Sequence, residues 1–544
     1  MNRREFLKVM GASGVSIGLS GLIGCGQQFI SSNKKPNVLF IAIDDLRPEL
    51  NCYGENIVHS PNIDRIAGEG VRFNRAYCQE AICGPSRASL LTGMRPDSTG
   101  VVDNNTFFRD TVGDVTTLPT HFASHGYTTV GIGKVYHDGQ DDEASWNRKA
   151  ASPPRPKPYP VMGYQLPETR KYLKHRRKEV IEKYGKQFVY SLGSGPAWEA
   201  ADIPDNMYND GYYTDRALAT LEEIKDDPFF LAVGFRKPHL PFNAPKKYWD
   251  LYDPADINLA DNPFAPADAP SMGLHASFEL RTRKNIPKAG DIGDERARKL
   301  IHAYLACVSY IDAQIGMLLD KLDRLGLREN TIIMLWGDHG WHLGEHGIWG
   351  KATNYEIATR VPLIVSAPGM SCNSDSDALV ELVDMYPTLS DLADIPLPDH
   401  LDGKSFAPVL KNPNRPWKKA AYSQFPCPAL REWAANPLSK EMRTTFFGPL
   451  IEHLEQKMEK ENPSGFDKNL YENHLMGYTM RTDRYRLVLW LDYRDPKKEP
   501  IAIELYDLTA DPDENTNLAK QQEYLHLARK LSKSLVKHII KGKK

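Results

Sequence analysis

The sequence predicts an α/β fold: a mixed sheet sandwiched by helices, followed by a smaller C-terminal α+β part built from an antiparallel sheet and a helix. Three observations carry this. Continuous apolar, β-branched runs at residues 37–43, 229–235 and 331–336 have the pattern of strands buried on both faces. Segments of helical period lie between them, the longest over residues 298–325, with Ile301, Leu305, Val308, Ile311, Ile315, Leu318 and Leu322 on one stripe and Gly326 just past its end. Beyond a Pro- and Asn-rich stretch at 411–416, short alternating strands replace these runs, at 478–482, 485–491 and 503–506, and a helix over about 518–539 follows. With 544 residues there is room for two or three domains. The expected division is 1–25, 26–35, 36–412 and 413–544.

The N-terminal segment is a targeting sequence and is set apart from the fold. Arg3, Arg4 and Lys8 form a charged start and an apolar, Gly- and Ser-rich run follows to Ile23. Residues 2–8 resemble a twin-arginine export signal, and Leu22-Ile23-Gly24-Cys25 resembles a bacterial lipobox. A plain secretory signal cleaved near Gly26 is the alternative. Either reading gives an exported bacterial protein, periplasmic or held to a membrane only through an N-terminal lipid anchor. The apolar run is too short and glycine-rich for a spanning helix.

A formal net charge of −2 argues against nucleic acid as a partner, which usually needs a strongly basic domain or stripe. Seven cysteines are an odd number. With Cys25 lipidated and Cys83 set aside, Cys52, Cys78, Cys307, Cys372 and Cys427 are too scattered for a disulfide framework.

In chain order, the first apolar run ends in Asp44-Asp45. Adjacent carboxylates at the C-terminal edge of a buried strand are costly unless neutralised, and a hard cation is their natural partner. Ser60-Pro61 opens a helix with serine as its cap. In Cys83-Gly84-Pro85-Ser86-Arg87, proline starts another helix, so Cys83 stands just before an N-terminus that favours anions and developing oxyanions. Taken alone, a buried cysteine at an ordinary helix start would read the same way.

Residues 118–124 read as a helix and 127–133 as a strand delivering Lys134 and His137. The dense basic run at 170–178 reads as a solvated helix face, with docking of a sulfated polymer as the alternative. A helix at 214–224 precedes the strand at 229–235, after which come Lys237-Pro238-His239. The strand at 331–336 leads into Asp338-His339, and Lys351 follows. Residues 361–366 read as a strand and 379–392 as a helix.

Cys83-Gly84-Pro85-Ser86-Arg87 resembles the CxPxR signature of the type I sulfatases, and the GYTTVGIGKVYH run (126–137) resembles their second signature. FFLAVGFRKPHLPF (229–242), residues 336–345 and LYDLTADPDENTNL (505–518) are similar to the iduronate-2-sulfatase branch, as is the Asp338-His339 pair where most sulfatases have asparagine. The likeness runs in patches over about 37–518 and is weakest at 151–201 and 426–473.

The resemblance implies an alkaline-phosphatase-like fold, and a sulfuric ester hydrolase in which a maturation enzyme converts Cys83 to formylglycine. It implies one divalent cation, calcium rather than magnesium, on Asp44, Asp45, Cys83, Asp338 and His339, although imidazole is a softer ligand than calcium prefers. Arg87 steadies the formylglycine, and Lys134, Lys351 and Lys237 neutralise sulfate oxygens. His239 protonates the leaving alcohol and His137 takes the proton whose loss lets sulfate depart. The substrates implied are sulfated oligo- or polysaccharides, with a 2-sulfated uronic acid first among them. A formylglycine-dependent phosphodiester or phosphonate hydrolase, and a surface lipoprotein that only binds sulfated glycans, are the alternatives.

Overall fold

The computed structural model describes residues 34–431 and 442–542, so the export signal, the lipobox and most of the linker lie outside the described residues. The described residues from Pro36 onward pack as one unit. Its centre is a seven-stranded sheet of β1 (Asn37–Ile43), β2 (Val71–Phe73), β3 (Thr128–Gly133), β4 (Phe229–Phe235), β5 (Thr331–Gly337), β6 (Leu363–Ser366) and β7 (Ser374–Ser376), in the order β7-β2-β6-β5-β1-β4-β3. β6 pairs antiparallel with both of its neighbours, and every other pairing in the sheet is parallel. This is the mixed α/β sheet that the apolar runs predict, of the alkaline-phosphatase type that the resemblance implies.

β1 shows why these runs are apolar throughout. Side chains alternate across a strand, and Leu39, Ile41 and Ile43 enter the core layer that contains the long helix α5, introduced below, while Val38, Phe40 and Ala42 enter the layer on the opposite face. Each such side chain, removed from water, contributes about 1.5–3 kcal/mol.

Six helices matter for the site: α1 (Pro61–Gly68), α2 (Cys83–Thr92), α3 (Pro167–Tyr184), α4 (Asn209–Ile224), α5 (Asp294–Arg324) and α6 (Leu525–Gly542). The predicted stripe of α5 is buried from Ile301 to Leu322. At α1 the expected serine cap is not made. Ser60 Oγ instead accepts from the Asn51 amide, and Asp312 of α5 accepts from the amides of Asn62 and Ile63 at 2.9 and 2.8 Å. A carboxylate from another element thus satisfies the orphan N–H groups.

The smaller sheet, β8 (Ala421–Pro426), β9 (Leu475–Arg481), β10 (Tyr485–Asp492) and β11 (Ala502–Asp507), is antiparallel throughout. Its first strand was not foreseen, and the terminal helix begins at Leu525 rather than 518, because Leu518 is tied by its amide to the Leu505 carbonyl. Residues 379–392 are not one helix either. Val380-Glu381 is a short strand parallel to Ala76-Tyr77, a 3-10 turn follows, and the α-helix occupies only Met385–Leu392. Pro362 divides the predicted strand at 361–366 into Arg360–Val361 and β6. Among the described residues no helix is long and apolar enough to cross a membrane.

The register brings the charged strand ends together. Ile43 is level with Phe235 on one side and Gly337 on the other, and Gly133 is level with Gly234. Asp44, Asp338, Arg236 and Lys134 therefore leave the sheet at one edge, the edge where open α/β sheets place ligands. Gly234 permits this convergence: a Cβ there would lie 2.1 Å from the Lys134 carbonyl oxygen and 2.7 Å from the Val135 nitrogen. Gly234→Ala must push β3 from β4, so we expect a loss of roughly 1–3 kcal/mol, read as a lower Tm, with reduced activity because Lys134 moves.

Candidate active site

Cys83 lies in the first turn of α2 rather than ahead of it, with Ile82 at the cap position. The whole helix is buried, and its free N–H groups are partly satisfied by Asn104, whose Oδ1 accepts from the Gly84 amide at 2.8 Å. Asn104 was not singled out from the sequence, because nothing local marks a loop residue 20 positions away as a cap.

Around Cys83 the structure gathers both acidic strand ends. Its Sγ is 3.3 Å from Asp44 Oδ1, 3.2 Å from His339 Nε2 and 3.4 Å from Lys351 Nζ. Asp338 accepts from Arg87 Nε at 2.9 Å and, through its other oxygen, from the Asp45 amide at 3.0 Å. Asp45 receives Lys351 Nζ at 2.7 Å, and Lys134 Nζ lies 2.5 Å from Asp44 Oδ2. Arg87 also reaches Asp44 at 3.4 Å and the carbonyls of Lys134 and Val135, and it rests over the Trp336 ring.

Charge balance explains the titration of these groups. Burial alone would raise the Asp44 carboxyl, but Lys134, then His239, Arg87 and Lys351, hold it well below the usual range. Burial pushes Asp45 well above that range, helped by Asp44 and opposed mainly by Lys351. Burial, reinforced by Asp44, raises the Cys83 thiol. Burial lowers His339 to about 4, so its imidazole is neutral. Its Nδ1–H donates to the Gly340 carbonyl at 3.0 Å, which leaves the Nε2 lone pair facing the cluster.

These residues fit a divalent cation. Ligand atoms of Asp44, Cys83, Asp338 and His339, and likewise of Asp44, Asp45, Cys83 and His239, lie within 4.8 Å of one another. Asp45 Oδ2 is buried with no hydrogen-bond partner, and such an atom is expensive unless a cation takes it. The three carboxylates supply hard oxygen ligands, to which the neutral imidazole of His339 adds one softer nitrogen.

A cavity of about 910 Å³ opens over Cys83 and also receives Lys134, His137, Lys237, His239 and Lys351. His137 is partly exposed to it, with Nδ1 unbonded, and is lowered to about 3 by burial and by Lys134. His239 donates Nδ1–H to the Leu240 carbonyl at 2.7 Å, and its Nε2 lies 4.0 Å from Asp45. Burial, then Lys351, lowers it. Lys237 reaches the same cavity, but its ammonium donates to the carbonyls of His239 and Pro241 at 2.5 and 2.7 Å.

A family model described as Sulfatase matches residues 36–395. The chain belongs to the sulfatase family. Iduronate 2-sulfatase of Mus musculus is 33% identical to this sulfatase over 554 aligned positions, covering 90% of this chain and 91% of that one. The Homo sapiens protein of the same name is 33% identical over 561, covering 91% and 93%. Among solved structures, a phosphonate monoester hydrolase from Silicibacter pomeroyi has the same fold, with a TM-score of 0.68, 23% identity and coverage of 93% and 96%.

Two further residues complete the wall of this sulfatase's site, both from the segment before α5, with Glu279 on a one-turn helix, Phe278–Arg281. His275 accepts the Ser277 amide on Nδ1 at 3.0 Å, so its Nε2–H donates to the Lys351 carbonyl at 2.6 Å. Glu279 approaches His239 Nε2 at 3.6 Å and Lys351 Nζ at 4.0 Å. The segment has no hydrophobic period, and only the clustering of charged residues in a Pro- and Gly-flanked loop could have marked it.

Proposed function

We propose that this sulfatase hydrolyses the sulfate esters of sulfated polysaccharide fragments, a 2-sulfated uronic acid foremost, through a formylglycine made from Cys83. The observation that carries the reading is the placement of Cys83 Sγ within 3.4 Å of Asp44, His339 and Lys351, at the focus of a cation-binding set. The 33% identity to iduronate 2-sulfatases over nine-tenths of the chain supports the choice of substrate.

Asp44, Asp45, Asp338 and His339 would hold calcium together with the modified residue 83. Calcium and hydrated formylglycine would supply, respectively, charge neutralisation at sulfate and an acidified attacking oxygen. The chain's own groups do the rest. Arg87 fixes the carboxylates Asp44 and Asp338 so that they face residue 83. Lys134 and Lys351 aim two ammonium groups at the sulfate oxygens, and Lys237 adds charge from the loop it braces. His239 holds the proton that goes to the leaving alcohol oxygen: a bound sulfate ester beside it favours the imidazolium against the burial that lowers it. His137, kept neutral by burial and Lys134, accepts the proton in the step that frees sulfate.

Cys83 is only 1% exposed, so a formylglycine-generating enzyme must reach it before the chain closes. Export by the N-terminal signal, a lipid on Cys25 and a periplasmic or membrane-anchored location suit an enzyme for large external polymers. In this reading residues 36–412 carry the catalysis and 413–544 form a C-terminal subdomain.

The test is peptide mass analysis of residue 83, followed by assay of free sulfate from a 2-sulfated uronate oligosaccharide and of turnover of a phosphodiester. Release of sulfate from a preparation carrying formylglycine is the expected result. Cleavage of the phosphodiester alone would overturn the reading. Chelation offers a second check, since a cation bound at 100 times its Kd stabilises the fold by ~2.7 kcal/mol. Treatment with EDTA should lower Tm by several degrees, and calcium should restore it better than magnesium. An unchanged Tm would argue against a resident cation.

A further inference from the structure

The cavity over Cys83 is larger than one sulfate group requires, and it lies within the size range of sites for whole small molecules. Its outer wall has a character of its own. Arg177 and Lys186, both exposed, line it together with the buried Arg283, Thr282 and Ser194. Arg177 belongs to the basic run of α3, whose face was expected to be merely solvated. Neighbouring members of that run do pair along the helix, Arg176 with Glu179 at 3.3 Å and Lys178 with Glu182 at 3.8 Å. Arg177 is the member that lines the cavity, and no carboxylate among the described residues pairs with it or with Lys186.

Arg283 is the anchor of this wall. It is 91% buried, since only 9% of it is exposed, and its Nε makes no hydrogen bond. Its guanidinium lies beside the Tyr164 hydroxyl, and its nearest acid is Glu279 at 4.0 Å. A buried guanidinium without a close carboxylate is costly, unless a bound anion completes it by a bidentate contact. The other arginine that lines the cavity, Arg236, is already taken by Asp138 at 2.5 and 2.6 Å.

We propose that Arg283, Arg177 and Lys186 form a second anion subsite, which binds a carboxylate or a further sulfate on the oligosaccharide while the scissile sulfate sits at residue 83. This rests on the sulfatase reading above and deepens it: the substrate is an oligosaccharide bearing at least two anions.

The test compares a 2-sulfated uronate disaccharide with the matching tetrasaccharide on the full mature enzyme. Both kcat/KM and direct affinity are measured over a range of salt concentrations. Wild type should prefer the tetrasaccharide. Arg177→Ala and Lys186→Ala should each cut its affinity by about 2–5-fold, the range of exposed ion pairs, and should flatten the salt dependence. Arg283→Ala should cut it by about 30-fold or more, as for a buried charge pair losing one partner.

Because Arg283→Ala could also disturb the Tyr164 contact, Arg283→Lys serves as the second variant. It keeps the charge and should recover part of the affinity, whereas a merely structural role would leave the salt slope unmoved. Affinity lost in the variants while no sulfate is released would keep this subsite and overturn the proposed reaction. Sulfate released with the tetrasaccharide preference and salt slope unchanged in all the variants would overturn the subsite alone, and a wild type that does not bind the tetrasaccharide overturns it as well.

Discussion

Cys83→Ala is expected to abolish sulfate release, with a loss of roughly 10⁴-fold or more, as for other removed nucleophiles. Nothing else in the cluster can replace it. Asp44, Asp338 and His339 belong to the cluster that fits a divalent cation, while Lys134 and Lys351 are held as ammonium ions by Asp44 and Asp45. Cys83→Ser keeps size and polarity, and should fail equally in a host whose maturation system converts cysteine only. Because Sγ makes its contacts at 3.2–3.4 Å with side chains that keep other partners, Asp44 with Lys134, Lys351 with Asp45 and His339 with the Gly340 carbonyl, both variants should fold with a Tm near wild type. Sulfate assay and thermal unfolding on one preparation separate lost chemistry from lost structure. Retained turnover in either variant would remove residue 83 from the reaction.

Arg87→Met should produce the largest loss of stability among the site residues, about 3–5 kcal/mol, the cost of leaving buried charges without their partner. Arg87 is fully buried, and it is the group that joins the two acidic strand ends, bonding Asp338 at 2.9 Å and Asp44 at 3.4 Å. Methionine preserves the packing over Trp336 but leaves both carboxylates short of a cation, so the denaturation midpoint should fall and activity should fall with it. Arg87→Lys keeps the charge but not the fork that spans two carboxylates and two carbonyls, and should recover only part of the loss. A midpoint equal to that of wild type would show that the metal set does not depend on Arg87.

How much of this was legible in the sequence follows from the range over which each signal acts. The strands at 37–43, 229–235 and 331–336 could be read because a strand buried on both faces must be apolar at every position, and Asp44-Asp45 and Asp338-His339 stood out as abrupt endings to such runs. Cys83 and Arg87, Lys134 and His137, and Lys237 and His239 could be placed because each pair follows a helix start or a strand end at short range. The sequence by itself therefore determined the α/β class, the acidic strand ends and the helix that carries Cys83.

Only the tertiary structure decided what depends on register and on long-range partners. Parallel pairing of Ile43 with Phe235 and Gly337 sets Asp44 against Asp338, a contact that no local pattern encodes. Val380 became strand rather than helix because Ala76 lay beside it, and α1 was capped by Asp312 from 250 residues away. Glu279, His275 and Arg283 reached the site on a segment without a long-range period, broken by only one helical turn, and Arg177 was singled out from its basic neighbours by which face of α3 met the cavity. Periodicity and capping are properties of a few adjacent residues, whereas a site is assembled from side chains whose only relation is the fold.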